Sequence, residues 1–190
     1  MKDITAASLS IDRADEARAE GPTGDASLDT TDLAILRALV EDARMSRRRL
    51  AREVGMSAPA VADRLARLER TGVVRGYRAE IDRALLGYPL VVYVGVVAVQ
   101  GADQSRLVAA LRDLPEVEDV QVVTGPKDLL VRLRVRDTAH LRECLFDRMW
   151  SMEGIERTET YISLGAMEPK GFDAELLDVM RREREAMPLV

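Results

Sequence analysis

The sequence predicts an α+β protein in two parts, an N-terminal winged helix-turn-helix followed by a ferredoxin-like βαββαβ α/β sandwich. Three observations carry that prediction. Residues 28–81 hold three short, capped stretches of helical periodicity separated by tight turns. Residues 90–164 alternate strand and helix patterns, and the basic residues are concentrated in the first of these two parts. The expected division is an arm at 1–27, a winged helix-turn-helix domain at 28–82 and a linker at 83–89. An α/β-sandwich domain at 90–168 and a tail at 169–190, with helical spacing over 172–187, complete it.

Order is expected to begin at Ser27-Leu28-Asp29, because residues 1–27 scatter acids around Gly21, Pro22 and Gly24 without apolar periodicity. Asp29 is placed to cap a helix with Leu33, Leu36, Leu39 and Val40 at helical spacing. Ser46 caps a second, short helix that turns Leu50 and Val54 inward, and Gly55 supplies a turn that a residue without Cβ makes cheaply. Ser57 caps the third helix, where Pro59 is tolerated in the first turn; Val61, Leu65 and Leu68 form its inner stripe and Gly72 ends it. Residues 73–81 then read as a short extended ribbon, the wing.

The second part opens with LVVYVGVVAV at 90–99, a β-branched strand apolar on both faces. Asp103 caps a helix with Leu107, Val108, Leu111 and Leu114, and Pro115 stops it. Strands at 117–123 and 129–135 flank the turn Gly125-Pro126-Lys127-Asp128. Asp137-Thr138 opens a helix with Leu141, Leu145 and Met149, and a last strand runs from Ile155 to Leu164. Two helices cover only one face of a four-stranded sheet, so the doubly apolar first strand predicts a second subunit on the other. Val92 and Val94 are the positions expected to test that dimer.

Composition narrows the function classes. The single cysteine, Cys144, and single histidine, His140, exclude a Cys/His zinc site and any disulfide within one chain. Cys144 is expected to be a buried, inert thiol and His140 a solvated first-turn residue. The longest apolar run, Pro89 to Val99, is too short to span a bilayer, and the acidic N-terminus is unlike a signal peptide, so a cytoplasmic protein is expected. No nucleophile–base pair, metal cluster or phosphate-binding glycine loop stands out, so neither an enzyme nor a cofactor is expected.

Charge is segregated. Between Arg44 and Arg78 lie ten arginines and three acids, a net +7 in a chain of formal charge −5, so the rest carries −12. Such a patch on an acidic chain points to a polyanion partner, and arginine grips phosphate or guanine edges through paired hydrogen bonds. The third helix has the residues a DNA-reading helix needs off its apolar stripe: Ser57, Ala58, Ala60, Asp63, Arg64 and Arg67. Ala60 offers a methyl to thymine, Arg64 or Arg67 reaches guanine or phosphate, Arg47 and Arg48 meet the DNA backbone, and Arg75 joins from the wing. An amphipathic helix with a solvated basic face shares this pattern; the ordered set of helix, turn, capped helix, glycine stop and basic ribbon separates the two.

The stretch LDTTDLAILRALVEDARMSRRRLAREVGMSAPAVADRLARLERTGVVRGYRAEID resembles the DNA-binding half of the Lrp/AsnC (feast/famine) family of transcriptional regulators. LPEVEDVQVVTGPKDLLVRLRV and MEGIERTETYISL resemble that family's effector domain, so the likeness runs from about residue 28 to 166. The resemblance implies double-stranded DNA as partner, dimers that assemble further, often to octamers, and an amino acid or similar metabolite as effector. It places the effector near the turn Thr124-Gly125-Pro126-Lys127-Asp128 and carries over Thr158 and Thr160 as lining residues. A turn of this kind exposes N–H groups to a carboxylate, and Asp128 suits an ammonium.

Three departures from the family pattern stand out. Ser46 is followed by Arg47-Arg48-Arg49 where a capping-box glutamate is common, and Pro126-Lys127 replaces an acidic and an aromatic residue. The leucine-type effector is therefore not implied. Residues 1–27 and 171–190 extend past the usual limits. Two other readings share the architecture. An architectural DNA-binding protein differs only in its specificity ratio. The sirohaem decarboxylases resemble the fold but rely on histidine chemistry that one His140 does not supply.

Overall fold

The computed structural model describes residues 28–165 and 171–186; the reading of residues 1–27 as an arm lies outside them. Helix α1 spans Thr30–Glu41, α2 Arg47–Glu53 and α3 Ala58–Arg70. Strand β1 (Leu90–Ala98), α4 (Gln104–Arg112), β2 (Val117–Val122), β3 (Leu129–Val135), α5 (Thr138–Glu143) and β4 (Ile155–Ile162) follow, and α6 (Phe172–Ala186) closes the chain. Helices α1, α2, α3 and α6 make one unit; the four strands with α4 and α5 make another.

In the helical unit the caps form as the side chains dictate. Ser46 Oγ accepts from Arg49 N at 3.3 Å and Ser57 Oγ from Ala60 N at 3.4 Å. Residues 54–57 make the turn between α2 and α3, with Gly55 at φ +69°, which a side chain would strain. Ile35, Leu36, Ala38, Leu50, Ala51, Val61 and Leu68 pack into one core. Val40, expected inside, is 48% exposed, and the inward face of α1 runs through Leu33, Ile35, Leu36 and Ala38 instead.

Residues 73–81, read as an extended ribbon, form no strand. A ribbon needs a second strand, and among the described residues none pairs with this stretch; Val74 N donates back to Leu68 O of α3, and Val73 and Val74 pack on the helical core. Helix α6 docks on α1, with Leu177 against the core and Asp178 Oδ2 3.4 Å from Arg37 Nε. Of the residues that helical spacing puts on one stripe of this helix, Phe172, Leu176 and Val179 face solvent and Met180 is half-buried.

The sheet has order β2-β3-β1-β4 with every neighbouring pair antiparallel, the ferredoxin-like arrangement. Val92, Val94 and Val96 of β1 are fully buried and pack with Leu107 and Leu111 of α4 and with Leu141, Cys144, Leu145 and Met149. Val92 and Val94 therefore face the helices, not a second subunit. The open face carries Val91, Tyr93, Gly95 and Val97, with Leu130, Arg132 and Arg134 of β3 beside them on the same face.

Residues 144–149 continue α5 as a π-helical turn, with Trp150 N donating to Leu145 O. Leu141, Leu145 and Met149 recur every fourth residue, wider than the 3.6 of an α-helix, and one expanded turn keeps all three inside. His140, expected in solvent, is 5% exposed. Its Nε2 lies 2.9 Å from Glu116 Oε1, its Nδ1 accepts from Arg136 N at 3.3 Å, and Arg148 Nη1 holds both Glu116 oxygens at 2.8 Å. Residues 24 and 32 positions apart meet there, which no local spacing announces. Burial opposes ionisation of Glu116, but the bonds from His140 and Arg148 win and keep its carboxyl below the usual carboxylate range.

Candidate nucleic-acid interface and effector site

The DNA-facing candidates lie on α2, on α3 and on the segment that follows it. Arg47 and Arg48 are exposed in the first turn of α2, and Arg49 is drawn aside by Asp42 at 3.3 Å. Ser57 and Asp63 are exposed on α3, and Ala58 and Ala60 are half-buried at its start. Arg75 is exposed beyond the helix end, where Tyr77 donates to Glu69 Oε1 at 3.0 Å. Arg70, which sequence reading passed over, is exposed two turns beyond Asp63, so the two share an outward face.

Arg64 and Arg67 differ from expectation. Arg64 Nη1 lies 2.5 Å from Asp29 Oδ2 and 2.9 Å from Asp32 Oδ1, and Arg67 Nη2 lies 2.5 Å from Asp32 Oδ2. Asp29 and Asp32 form a reciprocal capping box at the start of α1, which aims both carboxylates at α3. Asp32 is fully buried; burial opposes its ionisation, but hydrogen bonds from Arg67 and Arg64 prevail and hold its carboxyl below the usual range. The capping box has a local signal, since Asp32 stands three residues after Asp29, but the ion pairs it directs to α3 have none.

The proposed effector residues fall into two groups. Thr124, Gly125 and Pro126 are exposed at the tip of the β2–β3 turn, with Gly125 at φ +121°. Asp128 ties that turn to β1: its N donates to Val96 O at 2.9 Å and its Oδ2 accepts from Ala98 N at 2.8 Å. Lys127 runs along the open face to Glu159, Nζ to Oε1 2.5 Å. Thr158 and Thr160 pair in register with Val96 and Val94 and so lie on the helix-bearing face, where Thr158 Oγ1 accepts from Trp150 Nε1 at 2.9 Å. The structure brings Thr124 to Asp128 together and sets Thr158 and Thr160 on the opposite face from Lys127.

A helix-turn-helix with a basic outer face, followed in the chain by an α/β sandwich of this topology, defines a DNA-binding regulator with a ligand domain. Residues 28–75 match the winged helix-turn-helix DNA-binding family and residues 91–171 the Lrp/AsnC ligand binding domain family. The chain belongs to the Lrp/AsnC family of transcriptional regulators.

It is 32% identical over 148 residues to the leucine-responsive regulatory protein of Haemophilus influenzae, covering 77% of this chain and 89% of that one. It is 34% identical to the proline dehydrogenase transcriptional activator of Rhodobacter capsulatus, over 74% of this chain and 92% of the other. Among solved structures it is similar to a Neisseria meningitidis transcriptional regulator in complex with L-Met (TM-score 0.71, 27% identity, 75% of this chain and 94% of that one). It is also similar to a feast or famine regulatory protein of M. tuberculosis complexed with L-methionine (TM-score 0.69, 31% identity, 75% and 96%). Among the described residues no helix is long and apolar enough to cross a membrane.

Proposed function

We propose that the chain is a cytoplasmic, sequence-specific regulator that binds operator DNA as a homodimer, assembles further, and is switched by an amino acid. The observation that carries the DNA assignment is the exposed, basic first turn of α2, followed after a tight turn by the capped helix α3. Arg47 and Arg48 grip phosphates; Ser57, Ala58, Ala60 and Asp63 face base edges; Arg70 and Arg75 flank them. Dimerisation uses the open sheet face, where Val91, Tyr93, Val97 and Leu130 await cover. The L-methionine complexes of two similar proteins support an amino-acid effector, and the exposed turn at Thr124-Gly125-Pro126 suits its carboxylate.

A thermal-shift screen of the full chain against the proteinogenic amino acids tests the effector. Asp128→Asn is the variant of choice, because Asn retains an acceptor for Ala98 N–H while losing the charge an ammonium needs. One amino acid at about 100 times its Kd stabilises the protein by about 2.7 kcal/mol. That shift is expected in the parent and lost in the variant. No shift with any amino acid, or one unchanged in Asp128→Asn, contradicts the assignment.

A further inference from the structure

The basic patch is smaller than its arginine count. Two of its members, Arg64 and Arg67, sit on the helix read as DNA-facing yet point back to acids of α1. The acids are locked: Asp29 N donates to Asp32 Oδ2 at 3.1 Å and Asp32 N to Asp29 Oδ1 at 2.8 Å, so neither carboxylate swings away. The arginine side chains remain 28% and 34% exposed, at the flank of the surface a DNA backbone would approach. A phosphate arriving there meets guanidiniums already neutralised.

We propose that Asp29 and Asp32 are specificity-determining residues that withhold Arg64 and Arg67 from DNA phosphates. The inference rests on α3 being the DNA-facing helix. Phosphate contacts add affinity for every sequence alike, whereas base-edge contacts discriminate. Holding two arginines back trims the indiscriminate part and leaves discrimination to the short side chains at Ser57, Ala60 and Asp63. A purely structural role for Asp32 predicts something different: its loss loosens α3 against α1 and weakens binding to all DNA.

The test is the salt dependence of binding to a mixed-sequence duplex, by fluorescence anisotropy, for the full chain and three variants. Asp32→Asn frees Arg67 and leaves Arg64 with Asp29, so the slope of log K against log salt steepens by about one. Affinity at low salt rises several-fold. Asp32→Asn/Arg67→Gln returns about one unit of that slope. Asp29→Asn, which keeps a good N-cap, steepens the slope by less than Asp32→Asn. A folded Asp32→Asn with unchanged or flatter slope overturns the proposal, as does a steep slope that survives Arg67→Gln. If Asp32→Asn fails to fold by circular dichroism, Asp29→Asn decides alone, and an unchanged slope there overturns it. Ala60→Asp separates the underlying reading: if it leaves duplex binding unaltered, α3 is not the DNA-facing helix and both fall.

Discussion

Lys127 lies across Gly95. A Cβ built on Gly95 would stand 3.1 Å from Lys127 Cγ and Cδ, and the lysine ends in the pair with Glu159. The stem therefore covers a strip of β1 that has no side chain of its own. Its contribution is packing more than charge, since partly exposed pairs are worth about 0–1 kcal/mol. Lys127→Met, which keeps the stem, is expected within about 0.5 kcal/mol of the parent, and Lys127→Ala about 1 kcal/mol below Lys127→Met. Urea unfolding of the two variants checks this; equal losses would assign the effect to charge.

The opposite parity of that strand sets a second prediction. Tyr93→Asp on the open face is expected to dissociate the proposed homodimer in sedimentation while leaving the circular dichroism unchanged. Val92→Asp buries an unpaired carboxylate beside Leu133 and is expected to unfold the domain. A folded Val92→Asp monomer would reverse the faces.

This parity shows where the sequence ran out. The helices of the DNA-binding unit, their caps at Asp29, Ser46 and Ser57, and the βαββαβ order were legible because caps and periodicity are local. Residues 90–98 are apolar at both odd and even positions, so alternation could not say which valines face the helices. The Asp32–Arg67 pair, 35 residues apart, and the Glu116–His140 pair, 24 apart, depend on how helices meet, which no window contains. The π turn at 144–149 was foreshadowed by the spacing of four between Leu141, Leu145 and Met149. Residues 73–81 have the residue types of a ribbon, but residue type does not encode the partner strand a ribbon needs.

Buried carboxylates make stability fall in acid. Glu116 and Asp32 both have carboxyls held below their usual ranges in the folded state. Their contribution is complete above the unfolded carboxylate values, about 4, and is lost as pH falls through the lower folded-state values. Melting temperature should hold from pH 7 to about 5 and drop below about 4. Glu116→Gln is expected to cost about 1.5–3 kcal/mol at pH 7, from hydrogen bonds to charged groups, and to flatten the acid limb. An acid limb identical in Glu116→Gln would remove this carboxylate from the account.

Cys144 is fully buried, and burial pushes its thiol up to about 11. The folded protein should resist iodoacetamide at pH 8, and the chain in guanidinium should alkylate at one site. Rapid modification of the native protein would contradict the packing of α5 on the sheet.

The central claim is that the exposed first turn of α2 grips DNA. Binding of the full chain to a duplex, followed across salt concentrations, tests it most directly when the parent is compared with Arg47→Gln/Arg48→Gln. Losing two phosphate contacts should flatten the slope of log K against log salt by about 1.8 with the fold intact. An unchanged slope would place the DNA elsewhere on the protein.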